Sequence, residues 1–153
     1  MPYPIRVLRD RIADEMRAAM KAREQTRVST LRMLMAAVKN TQVEKGHELD
    51  DDEVVEVISR EAKRRRESME AFEKGGRAEL VEKERAELTV LEAYLPERLS
   101  DEELAVLVDE AVAETGASSP KEMGQVMKAL MPKVKGRADG AAVSAAVRAR
   151  LGA

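Results

Sequence analysis

The chain has no cysteine, no tryptophan, a single phenylalanine and a single histidine, His47. Without cysteine there is no disulfide framework and no thiolate metal site, and one histidine cannot build a Cys/His zinc cluster, so neither metal nor cofactor is expected. His47 stands beside Gly46 with no co-ligand and no Ser or Cys nucleophile to serve, and it reads as a surface polar residue. No stretch approaches eighteen uninterrupted apolar residues, and MPYPIRVLRD lacks the apolar run of a signal peptide. The expectation is therefore a cytoplasmic protein with no membrane partner. Aromatic residues make up only 2% of a chain that is 44% hydrophobic, so the core must come from Leu, Val, Ile, Ala and Met. Ala, Leu and Met, with Glu, Lys and Arg, lose little side-chain freedom in helices, whereas strands favour aromatic and β-branched residues; an all-α fold follows.

The apolar residues recur at helical spacing. Ile5, Leu8, Ile12, Met16 and Met20 mark a first helix, and Val28, Leu31, Leu34, Met35 and Val38 a second that ends at Lys45-Gly46. The acidic run Asp50 to Glu53 lies where a third helix should start, since carboxylates accept its free N–H groups; it lacks the alternating ligands and central Gly of a calcium loop. Val54, Ile58, Ala62, Met69 and Phe72 stripe that helix up to Gly75-Gly76, and Leu80, Leu88, Leu91 and Leu95 stripe a fourth. The short glycine link predicts an antiparallel hairpin.

Pro96 is the best domain boundary, giving a helical N-terminal domain of long antiparallel helices over residues 1–96 and a small three-helix domain over 97–153. In the second, a capping box of Ser100 and Glu103 opens a helix carrying Leu104, Leu107, Val108 and Val112. Ser119 as cap with Pro120 and Glu122 opens a short one carrying Met123, Val126, Met127 and Leu130, which Pro132 should end. Asp139 should cap a last helix carrying Val143, Val147 and Leu151.

Three blocks, KAREQTRVSTLRMLMAAVKN from Lys21, ELTVLEAYLPERLSDEEL from Glu87 and GQVMKALMPKVKGRADGAAV from Gly124, make the chain resemble the GatB/YqeY family. The small free-standing members of that family are similar to the tail of the B subunit of the tRNA-dependent amidotransferase. The resemblance implies a helical N-terminal domain joined to a three-helix C-terminal one. In the amidotransferase the tail helps to hold tRNA while other parts of the enzyme carry out the amide transfer, a carbon–nitrogen ligation; 153 residues leave no room for an amidase or kinase-like core. The implied role is a non-catalytic tRNA- or RNA-binding accessory protein. The alternative is a protein–protein adaptor, with a partner in translation or tRNA metabolism, that keeps the fold without the RNA role.

Two basic zones bracket an acidic middle, a pattern that fits either an anionic partner or solvated helix faces. From Ile5 to Lys45 ten basic residues face five acidic ones, and from Ser118 onward seven face two. Lys133, Lys135 and Arg137 crowd around Gly136 in the third block, with Lys128 before them; the match to the tRNA-holding tail makes these the leading candidates for RNA backbone contact. Arg32 and Lys39, two helical turns apart across Ala36, form a second candidate ridge, or else snorkel beside the core. The basic run Lys63 to Arg66 spreads around its helix and cannot meet one surface. No second acid, His or nucleophile stands beside Asp139, which is expected to be structural. Arg65 and Glu84 each place a charge on an apolar stripe, which predicts a partly buried Arg65–Glu84 ion pair within the hairpin.

Overall fold

A computed structural model describes residues 7–152. Seven α-helices and no strand occur among them: α1 (Val7–Ala22), α2 (Gln25–Lys45), α3 (Asp51–Lys74), α4 (Ala78–Glu92), α5 (Asp101–Thr115), α6 (Met123–Val134) and α7 (Gly140–Arg150). The chain divides between Leu95 and Pro96 into two compact units. The fold is all-α.

In the first unit α3 packs on α4, α1 on α2, and α2 also on both α3 and α4. Ile12, Leu31, Leu34, Val38, Leu49, Val54, Ile58, Ala62 and Leu91 form its core, so the stripes read from spacing are largely those buried. In α1, however, Met20 is half exposed and Ala19 is buried in its place. One step round the helix brings the smaller side chain inward, close to where the chain reverses into α2. Ile5 lies outside the described residues.

The caps explain where helices start and stop. Asp50 accepts the backbone N–H of Glu53, and the Glu53 carboxylate accepts that of Asp50, a complete capping box at the start of α3. Lys45 donates to Glu53 at 3.0 Å and the His47 ring Nε2 lies 2.9 Å from it, so the end of α2 is tied to the start of α3. The Lys45 ammonium, the Asp50 N–H and the His47 ring, in that order, hold the Glu53 carboxyl down at about 2 from an ordinary 4.5. A carboxyl depressed by folding contributes stability that is present above its unfolded value and lost as pH falls through the folded one. Acid unfolding should therefore draw on Glu53 between about pH 4.5 and 2. Glu53→Gln, which keeps the capping acceptor but cannot titrate, is expected to flatten that limb of a pH-dependent unfolding curve. An unchanged slope would show that the charge contributes nothing.

The second unit buries Val108, Ala111, Val126, Leu130, Val134, Val143 and Val147 where α5, α6 and α7 meet. Ser100 and Glu103 form the predicted capping box on α5. Three expectations are corrected by the structure. Pro132 does not end α6, which runs on to Val134: burial of Val134 and the bond from Lys135 N–H to the Met131 carbonyl carry the last turn past the missing donor. Before it, Pro120–Glu122 form a single 3₁₀ turn to which Ser119 lends no side-chain bond. Asp139 occupies the cap position of α7, yet its side chain makes no capping bond and pairs with Arg98 at 3.6 Å.

A candidate nucleic-acid interface

The C-terminal basic loop is largely engaged in holding its own unit together. Gly136 takes φ +75°, a left-handed turn that glycine adopts without a Cβ clash. That turn brings Arg137 back against the segment entering α5: its side-chain Nε–H donates to the Glu97 carbonyl at 2.9 Å and its own carbonyl accepts from Leu99 N–H. Lys133 pairs with Glu114 at 3.6 Å on the surface, and Lys135 also has a partner. Lys128 alone of this group is both exposed and unpartnered.

Helix α2 is different. Its buried residues are Thr30, Leu31, Leu34, Val38 and Thr41, and the opposite face, Ser29, Arg32, Met33, Ala36, Lys39, Asn40 and Val43, is exposed along its length. Arg32 and Lys39 stand on that face with no hydrogen bond or ion pair among the described residues. Two turns separate them, about 10 Å at 1.5 Å per residue, with only the methyl group of Ala36 between. No Asp or Glu occurs from Gln25 to Val43; the one carboxylate of this helix, Glu44, lies five residues beyond Lys39 and pairs with neither cation. The signal missed in the sequence is this acid-free run, together with Met33 and Val43, which are 50% and 76% exposed although apolar.

The basic run Lys63 to Arg66 is engaged within its own unit. Lys63 pairs with Glu67, Arg64 with Glu61 and Arg66 with Glu92, so the run is split around α3. Arg65 is buried, but its partner across the hairpin is not Glu84: it donates to Glu61 at 2.9 Å, lies 3.5 Å from Glu87, and touches the Met33 sulfur at 3.9 Å. The hairpin register explains the correction. Arg65 lies eleven residues before Gly76 and Glu87 eleven after it, so Glu87 arrives level with the guanidinium while Glu84, one turn nearer the link, does not.

A second network, unforeseen in the sequence, joins α1, α2 and the residues just after α4. The Tyr94 hydroxyl donates to Glu15, which also accepts from Arg11 at 2.9 Å and Arg27 at 3.2 Å. The Arg11 guanidinium sits 5.0 Å from the Tyr94 ring centre, within cation–π range. The Tyr94 bond, outweighing partial burial, lowers the Glu15 carboxyl. Burial, then the Glu15 bond, raises the Tyr94 phenol to about 12. This cluster is internal bracing. Among the described residues no group of three or more His, Asp or Glu side chains converges as a metal site, and no helix is long and apolar enough to cross a membrane.

Over residues 9–151 the sequence matches the family described as Yqey-like protein. The chain belongs to that family. It is similar to fungal proteins named altered inheritance of mitochondria protein 41, mitochondrial. The relative in Eremothecium gossypii is 34% identical over 64% of this chain and 55% of its own length. That in Lachancea thermotolerans is 29% identical over 69% and 58%, and that in Pyrenophora tritici-repentis is 29% identical over 98% and 84%. The match thus spans little more than half of the first two relatives.

Proposed function

We propose that this protein is a non-catalytic RNA-binding accessory protein that grips the phosphate backbone of a structured RNA such as tRNA through the exposed face of α2. The observation that carries the reading is the pair Arg32 and Lys39, exposed, unpartnered among the described residues and set within the acid-free run from Gln25 to Val43. Such cations supply sequence-independent phosphate contacts and release counterions on binding. Resemblance to the tRNA-holding amidotransferase tail supports the choice of RNA. In the second unit Lys128 is exposed and without a partner among the described residues, available for a phosphate contact of its own, and Lys133 can exchange its exposed pairing with Glu114 at little cost. Arg137 and Gly136 serve the loop itself. The role belongs to a compartment where translation runs, and the proposal takes that to be the cytoplasm.

The test is binding of a mixed tRNA pool across a salt series. Arg32→Ala with Lys39→Ala should weaken binding roughly tenfold at low salt and reduce the slope of log affinity against log salt by about one per lost contact. Salt-independent affinity, or an unaffected double variant, defeats the reading. The adaptor alternative draws on the exposed Met33 and Val43 of the same face. Nuclease-resistant recovery of a stoichiometric protein that Met33→Asp abolishes, with tRNA affinity unchanged, would establish it instead.

A further inference from the structure

Where α1 turns into α2 the surface forms an open cavity of about 440 Å³, lined by Met20, Arg23, Gln25, Val28, Ser29 and Arg32. Its two arginines are exposed and have no partner among the described residues, whereas the neighbouring Arg11, Arg17 and Arg27 each bind a carboxylate. No carboxylate lines the cavity; Glu24, next to Arg23 in sequence, is exposed and lies outside its lining. Met20, half exposed, and Val28 supply apolar surface beside the two positive charges. Arg23 is also the one non-glycine among the described residues with positive φ, at +58°. That conformation ends α1, with the Glu24 N–H bonded to the Ala19 carbonyl, and glycine would adopt it with less strain than arginine.

We propose that this cavity seats one unpaired nucleotide of the bound RNA, its phosphate between Arg23 and Arg32 and its base against Met20 and Val28. The inference rests on the RNA reading of α2, whose ridge leads from Lys39 through Arg32 into the cavity. Paired guanidinium groups suit a phosphate by charge and by planar, forked donor geometry. An apolar floor accepts the face of any base, so the seat should tolerate all four. A duplex, whose bases are stacked and paired, can use the ridge but not the floor.

The probe is adenosine 5′-monophosphate added to the full chain, followed by amide chemical shifts, with a short single-stranded RNA and a duplex of the same sequence as competitors. The expected result is a cluster of shifts at Met20, Arg23, Val28 and Ser29, displaced at much lower concentration by the single strand than by the duplex, which shares only Arg32 with the seat. Arg23→Gly relieves the backbone and should leave thermal stability equal or higher, yet weaken the nucleotide at least tenfold. Met20→Asp, on an exposed position, should do the same, whereas Lys39→Ala should weaken tRNA and spare the nucleotide. Shifts scattered outside the cavity, or unchanged affinity in Arg23→Gly, overturn the seat even if tRNA binding through α2 holds. Loss of the α2 effect on tRNA with the nucleotide still seated overturns the RNA reading instead. A nucleotide that the single strand cannot displace would assign the cavity to a free nucleotide and refute its use by RNA.

Discussion

Arg65→Ala should be among the most damaging single substitutions in the first unit. The guanidinium is 5% exposed and lies between Glu61 and Glu87, themselves 9% and 10% exposed. Its removal leaves Glu87 with no counter-charge among the described residues and Glu61 with only the solvent-facing Arg64 at 3.6 Å. Stranding a buried charge in this way costs about 3–5 kcal/mol, a large part of a small domain's whole stability of about 5–15 kcal/mol. The measurement is denaturant unfolding followed by far-ultraviolet circular dichroism, since the chain has no tryptophan. A loss below about 1 kcal/mol would mean that water reaches both carboxylates. The complementary variant, Arg65→Met with Glu61→Leu and Glu87→Leu, should recover most of the loss, because a buried ion triad is often no better than apolar side chains of similar size. The Arg65 Nε already lacks a partner, which weakens the native arrangement and favours that rescue.

Tyr94→Phe should cost about 1.5–3 kcal/mol near neutral pH, the range for a hydrogen bond to a charged group. The ring remains, so packing and the Arg11 contact should persist, and only the bond to Glu15 is lost. Its pH dependence is distinctive. The Glu15 carboxyl is lowered by folding from 4.5, so its contribution is present above that value and fades as pH falls through the lower folded one. The Tyr94 phenol is raised from 10.0 to about 12, so its contribution is present below pH 10 and fades as pH rises toward 12. The difference between wild type and Tyr94→Phe should therefore be greatest between about pH 5 and 9 and shrink on both sides. A difference that stays constant across the range would show that the hydroxyl contributes through packing alone.

Much of the fold was legible because it depends on local rules. The glycine at 46, the Asp50 and Ser100 capping boxes and the Gly75-Gly76 link each act within a few residues, and each takes the form its sequence indicates. What escaped depends on partners far along the chain. Glu15 and Tyr94 are 79 residues apart, and no periodicity joins them. Choosing Glu87 over Glu84 required the exact hairpin register, which the spacing of apolar residues along one helix face cannot decide. Asp139 had a sound local role as a cap, and Arg98, brought up by the folding of its unit, took the carboxylate instead. The candidate site divided in the same way. The basic loop around Gly136 looked available because the Glu97 carbonyl that holds Arg137 comes from forty residues earlier. Arg32 and Lys39 proved exposed because the face of α2 opposite its buried stripe is left uncovered.

The Glu15–Tyr94 bond also sets a clock on synthesis. Helices α1 and α2 are joined by a short turn and can pair as soon as both have left the ribosome, but Glu15 must wait for a hydroxyl made 79 residues later. At about 5–20 residues per second that wait is on the order of 4–16 s. During it the charged brace between α1 and α2 has its arginines but lacks its tyrosine, so the nascent first unit is held less firmly than the finished one until translation reaches the last residues before the boundary.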